Sequence, residues 1–303
     1  SVIEDLNQDM LLDVLEEALS TRLIEELTTS VGLYQFSHAL MQEVLASELS
    51  LTRRVRLHAQ IAQNLESLYG DEAESHAAQL AHHFSQAETL LGTEKLVKYS
   101  VAAGQQALDK NAYEDALPYF ETASSAVDDH TPPGKAGQIL YDLGKSQSAT
   151  GQMNVAFQTL KKAYDFFVQS GNLDDAVAVA EYPIVVFGPD MINFLEGALD
   201  LIPPQSHGAG RILSRLGASY AVVGRPDSAQ VAYERALTAA REVGDKSLEM
   251  FTLTRYATLE WAKLNVHDAL EMLEICLRLS DEVNDLLPEH QTHMMMAFSY
   301  SVA

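Results

Sequence analysis

Apolar residues along most of this chain recur every three or four positions, the period of a helix with one buried face. Leu57, Ile61, Leu65 and Leu68 make one such stripe. The pattern predicts helices at about 6–19, 37–49, 51–69 and 74–91. Strand-type alternation is confined to 23–27 and 33–36, with a turn at Gly32. Tyr34-Gln35-Phe36 alternates aromatic, polar, aromatic, and helical spacing takes over from Ser37 with Leu40, Val44 and Leu45. His38 stands at that changeover.

Beyond residue 92 the helical pattern repeats itself. Three segments carry a glycine, Gly104, Gly144 or Gly217, and a fourth carries Ala257 in its place. Twelve positions later comes Ala116, Ala156, Ala229 or Ala269. Four further on comes a large residue, Phe120, Leu160, Tyr233 or Leu273, and three beyond that Ala123, Ala163, Ala236 or Cys276. These offsets are the tetratricopeptide pattern. Small residues let helix A approach helix B, and the large one is expected to fill the gap toward the next repeat. Ala116 to Ala156 and Ala229 to Ala269 are each 40 residues apart, whereas Ala156 to Ala229 is 73. The surplus leaves room for one irregular pair, at about 173–187 and 190–201. Its first helix should be short or bent because of Pro183, Gly188 and Pro189. The expected fold is all-α: a tetratricopeptide-type superhelix of helical hairpins, preceded by a small winged-helix-like unit with a short β-hairpin. The domain boundaries are 1–92 for the winged-helix-like unit and helical linker, and 93–303 for the repeat array. The array holds about five helix pairs, the third irregular and the last cut.

Charge and composition narrow the function. Of 303 residues, 43 are acidic and 20 are Lys or Arg, giving a formal net charge of −23. Such a surface repels phosphate backbones and anionic lipid, so no nucleic-acid or membrane partner is expected. No apolar run approaches the roughly 18 residues of a spanning helix. Cys276 is the single cysteine, which excludes an internal disulfide and fits a reducing, cytoplasmic setting. The chain begins at Ser1 and ends in "HQTHMMMAFSYSVA", an apolar helix-like pattern without a cap, and so reads as an excerpt of a longer protein.

The segments "YQFSHALMQEVLASELSLTRRVRLHAQIAQNLESLYG", "AAQLAHHFSQA" and "KLVKYSVAAGQQAL" resemble the C-terminal side of bacterial signal-transduction ATPases of the STAND class. The close likeness covers about 9–125. The family joins a P-loop ATPase module to a winged-helix unit and a tetratricopeptide array. Its output domain is often a nucleotide cyclase or a LuxR-type helix-turn-helix of transcription regulators. The resemblance implies a non-catalytic regulatory segment whose repeat array senses or binds a partner; the alternative is a standalone repeat scaffold. A third reading, from another class, is an enzyme fragment, in the sense that the parent chain is a nucleotide cyclase. The resemblance also makes His38, in "FSHAL", the match to a winged-helix histidine that contacts bound nucleotide. Ala39 stands where the family's motif has an acid. The structural alternative is that His38 caps the helix or packs in the wing. Arg53, Arg54 and Arg56 are the one dense basic cluster, either a solvated face pairing with acids such as Glu48 or a contact for the ATPase module of the same parent chain.

Other candidate chemistry is weaker. "LGKS" at Leu143 to Ser146 ends like a P-loop, but Ile139 replaces the required glycine and the segment lies in a repeat helix. Zinc wants three or four convergent ligands, and neither His76, His82 and His83 nor His290 and His293 has a nearby Cys or the HExxH arrangement, so both groups read as amphipathic surface histidines; no metal or cofactor is expected. Cys276 takes a small-residue packing position and reads as a buried inert thiol. In each repeat, positions six and three before the glycine and one and four after it should face the concave wall. They are Gln138, Tyr141, Lys145 and Ser148; Arg211, Ser214, Ala218 and Ala221; and Phe251, Thr254, Thr258 and Trp261. Trp261 stacks on a peptide ligand there or packs against the next repeat. Arg211, Arg215 and Arg255 add basic spots suited to an acidic peptide or a terminal carboxylate.

Overall fold

A computed structural model describes residues 8–27, 33–128, 130–280 and 282. They fall into two compact units, one ending at Ala126 and the other beginning at Val127. Gly32, His290, His293 and the apolar C-terminal segment lie outside the described residues.

The first unit opens with α1 (Gln8–Ser20), then β1 (Ile24–Glu26) and β2 (Tyr34–Phe36), then α2 (Ala39–Glu48). The strands pair antiparallel, with Glu25 opposite Gln35, and Gln35 Nε2 donates to Glu25 Oε1 at 2.6 Å. This is the expected helix, hairpin and helix. Leu40, Val44 and Leu45 keep their helical spacing but face solvent. Helix α3 (Leu51–Tyr69) starts at Ser50, whose hydroxyl accepts from the Arg53 amide at 3.4 Å. It ends at Gly70, where φ is +50°, and a 3₁₀ segment, Gly70–His76, follows. The single helix expected at 74–91 is instead this 3₁₀ turn, α4 (Ala77–Gln86) and α5 (Glu88–Leu91), the two helices parted at Ala87. The unit closes with α6 (Glu94–Leu108) and α7 (Tyr113–Ser125), the first repeat hairpin.

The core of this unit gathers Ala62, Leu80, Phe84, Leu96, Tyr99 and Ala103, with the Phe84 and Tyr99 rings stacked at 5.5 Å. On α3 the fully buried positions are small alanines, while Leu57, Ile61 and Leu65 of the apolar stripe are half-buried and Leu65 packs against this core. Ala59 and Ala62 are buried, whereas Leu68 is 75% exposed. Glu66 on the same helix accepts from the Tyr99 hydroxyl at 2.7 Å and from Lys95.

The second unit consists of helical hairpins: α8 (Pro133–Ala149) with α9 (Met153–Ser170), α12 (His207–Val222) with α13 (Pro226–Val243), and α14 (Lys246–Ala262) with α15 (Val266–Ser280). Between the first two lies the irregular pair, α10 (Leu173–Glu181) and α11 (Pro189–Leu199). Prolines open α8, α11 and α13 at positions where no helical N–H is needed. Gly171 and Gly244 end α9 and α13 in the left-handed conformation.

The repeat signature has a direct physical meaning. A Cβ placed on Gly144 would lie 2.7 Å from the Leu160 side chain, and one on Gly217 would lie 2.6 Å from the Tyr233 ring. The large residue therefore packs on the glycine of its own hairpin rather than chiefly filling the gap to the next repeat. Tyr233 also reaches forward, stacking on Tyr256 of α14 at 5.5 Å. Ala156, Ala163, Ala229, Ala236, Ala269 and Cys276 are all fully buried. Seven residues after each signature position the chain turns through positive φ, at Asn111, Gly151, Gly224 and Leu264. The hairpin turn is therefore shared by all four repeats even where glycine is absent.

Candidate functional site

The irregular pair opens a cavity in the second unit. Helix α10 stops at Glu181, and Pro183 carries the chain through a non-helical stretch to α11. That stretch, with α12 and α14, walls a cavity of about 360 Å³. Arg211 and Arg215 are four residues apart on one face of α12, and Phe251 and Arg255 repeat the spacing on α14. All four line the cavity.

The charges divide into a neutralised rim and an unneutralised interior. Arg211 is exposed and lies 3.6 Å from the Glu181 carboxylate. His207 Nε2 meets Asp245 Oδ2 at 2.6 Å. Deeper in, Arg215 donates to the backbone carbonyls of Ala180 and Ile184. Arg255 lies over the Phe251 ring at 4.0 Å, and its Nη1 is buried without a hydrogen-bond partner among the described residues. Neither inner arginine pairs with a carboxylate among the described residues. Burial first, and then the adjacent Arg255 charge, lower the Arg215 pKa to about 10; burial also lowers that of Arg255. Both groups still carry their protons at neutral pH, because a guanidinium is so strong a base. An anion entering the cavity would meet preformed N–H donors and relieve the repulsion between two cations.

The other expected wall residues behave differently. Tyr141 stands edge-on to Tyr182 at 6.1 Å and donates to the Ala178 carbonyl at 3.4 Å. Lys145 pairs with Asp142 at 2.6 Å and lies over the Tyr141 ring at 4.8 Å. Gln138 donates to Asp142 as well. Ser148, Ser214 and Thr254 are buried. Trp261 packs on Ala257, Ala269 and Leu273 of its own hairpin, outside the arginine cavity. Cys276 is buried and donates to the Met250 carbonyl at 3.5 Å. The "LGKS" segment lies inside α8, with Gly144 against Leu160.

In the first unit His38 is exposed and caps α2 through its backbone: its carbonyl accepts from the Met41 amide at 3.0 Å, and the ring makes no capping bond. Arg53 and Arg56 are exposed and Arg54 is half-buried on the first turns of α3, with no ion pair to Glu48. His76 stacks on Tyr69 at 3.8 Å, apart from the other two histidines of its stretch. The ring that joins His82 and His83 is His58 of α3, and these three converge. Sequence reasoning missed His58, because it lies 25 residues from His83 and only the packing of α3 on α4 unites them.

No family model and no curated protein matches the chain. Solved structures do. BtubC from P. vanneervenii shares 14% identity and a TM-score of 0.50 over 78% of this chain and 93% of that one. A STAND protein with a tetratricopeptide repeat sensor from Pyrococcus horikoshii shares 15% identity, with a TM-score of 0.49. The alignment takes in 98% of this chain, which spans about half of that protein's length (49%). A Rap protein complexed with competence and sporulation factor shares 15% identity and a TM-score of 0.39. At 14% identity the likeness to BtubC bears on the fold alone; the hairpins and their glycine contacts make that fold a helical repeat of the tetratricopeptide type. That fold is consistent with a non-catalytic interaction module. No helix among the described residues is long and apolar enough to cross a membrane.

Proposed function

We propose that the chain is a non-catalytic regulatory module that binds a carboxylate-bearing protein or peptide in the cavity between α10, α12 and α14. One observation carries the reading: Arg215 and Arg255 sit side by side, half-buried, with no carboxylate partner among the described residues. Two uncompensated cations in a recess are costly to hold in an empty site and favourable once an anion enters. The cavity is also a local exception in a chain of net charge −23, so it selects an anionic group rather than attracting anions generally.

In this reading residues 1–92 are the winged-helix-like unit and linker, and 93–303 the array, of a cytoplasmic STAND-class signalling ATPase. Ligand binding in the array would alter the contact that Arg53, Arg54, Arg56 and His38 make with the ATPase module of the parent chain. The exposed Leu40, Val44 and Leu45 of α2 support a covered face there.

The test is calorimetric titration of the chain with short acidic peptides and with their esterified or amidated counterparts. Binding should require the free carboxylate and should weaken at least tenfold in Arg215→Met and Arg255→Met. Peptide affinity indifferent to both substitutions overturns the cavity assignment. ATP hydrolysis or cyclic-nucleotide formation by the purified chain overturns the non-catalytic reading. Coding sequence upstream that reads into G-x-x-x-x-G-K-[ST] separates the signalling ATPase from a standalone scaffold.

A further inference from the structure

We propose that His58, His82 and His83 form a binding site for a divalent late transition-metal cation, zinc being the best match, which would tie α3 to α4. Each ring offers a nitrogen, and these atoms all lie within 4.8 Å of one another. His58 Nδ1 and His83 Nδ1 are 3.0 Å apart. Two imidazole nitrogens on one tetrahedral zinc, each at about 2.0–2.1 Å, stand roughly 3.3 Å apart. The His58–His83 edge therefore already has nearly the length a zinc tetrahedron needs. The third ring, His82, is exposed and closes the remaining gap by a change of rotamer.

The donor set fixes the class of ion. Three imidazoles without a carboxylate suit zinc, copper or nickel, and offer little to magnesium or calcium, which take oxygen. The fourth position is left to water, as in other three-histidine zinc sites. Metal binding requires neutral imidazole. Burial first, and then the neighbouring His58 and His82 rings, lower the His83 pKa to about 4. Burial also lowers that of His58, helped by His82 and by Arg54 one turn earlier on α3. In these two rings the shift favours the neutral form that a metal needs. Arg54 opposes the incoming cation, so the expected affinity is on the order of micromolar, well short of a buried structural zinc.

The geometry also has a reading without metal, in which one Nδ1–H donates to the other Nδ1. The experiment separates the two. Zinc chloride is titrated calorimetrically into the full chain, and cobalt chloride is followed by visible absorption. One zinc per chain is expected, with the intense visible bands of four-coordinate cobalt. His58→Gln and His83→Gln should each weaken zinc binding at least tenfold, while His267→Gln, on α15, leaves it unchanged. Circular dichroism checks that each variant is folded. The exposed His82→Gln keeps the test decisive if a half-buried change unfolds the chain, because it should also remove the cobalt bands. Zinc binding that is absent at about 100 μM, or that survives His82→Gln unchanged, overturns the site.

Discussion

In the first unit three imidazoles crowd together on α3 and α4; in the second, two guanidiniums crowd together on α12 and α14. Both clusters bring basic groups into partial burial beside one another, and both suffer the same two penalties, desolvation and like-charge repulsion. Histidine escapes by giving up its proton. Its pKa begins at about 6.5, so a modest penalty leaves the ring neutral with a lone pair exposed. Arginine starts too high to escape, and even a pKa lowered to about 10 leaves it charged. The same crowding therefore makes one site that accepts a cation and one that accepts an anion. Residue type, more than geometry, decides the sign of the ligand.

The largest test strikes the frame beneath the arginines. Gly217→Ala forces a Cβ against the Tyr233 ring, which stacks on Tyr256 and lies beside Arg255. The change should cost about 2–3 kcal/mol by overpacking, lowering the denaturation midpoint. It should also impair anion binding while leaving zinc affinity in the first unit intact. Loss of both activities together would mean that the two clusters are not independent. Next in size, Arg215→Met should weaken carboxylate-peptide binding by about 30-fold, or about 2 kcal/mol, read by calorimetry. Arg255→Met should weaken it too, but with thermal stability unchanged or raised by up to about 1 kcal/mol, because an unpaired half-buried charge is removed. Marked destabilisation would show that Arg255 is held for the fold rather than for a ligand.

The proton side of the comparison is smaller. His83 takes its proton near pH 4 when folded and near 6.5 when unfolded, so between these values the unfolded chain binds more protons. Stability should therefore be full above about pH 6.5 and fall as pH drops through that window. The loss is about 1 kcal/mol once partial solvent exposure is allowed for. Denaturation at stepped pH should show this slope in the native chain and a flatter one in His83→Gln. Smallest of all, Leu264→Gly touches neither cluster. Leu264 is 82% exposed at φ +68°, in the turn where two other hairpins have glycine. Relief of that backbone should stabilise the chain by about 0.5 kcal/mol, the left-handed penalty of leucine partly offset by glycine's freedom when unfolded. A decrease would mean that Leu264 makes a contact the turn requires.

Much of the frame was legible in the sequence because it depends on contacts of fixed spacing. A glycine, an alanine twelve later and a large residue four beyond that constrain one another within a single hairpin, so the period survives any variation elsewhere. Pro183, Gly188 and Pro189 marked the irregular pair for the same local reason: proline restricts its own backbone and its neighbour's. Arg211 followed from placing that frame on a curved array, whereas Arg215 and Arg255, each two residues before the signature position, stood in the sequence only as additional basic spots. Long-range packing decided the rest. It buried Ala59 and Ala62 rather than Leu68, and it turned Trp261 into its own hairpin. It left Arg215 and Arg255 without a carboxylate among the described residues, whereas Lys145 found Asp142 three residues back on its own helix. It also brought His58 to His83 and left His76 on Tyr69. Spacing along one helix fixes which residues share a face. Which face meets another helix, and which charge meets a partner there, is set by elements distant in sequence, and only the folded chain brings them together.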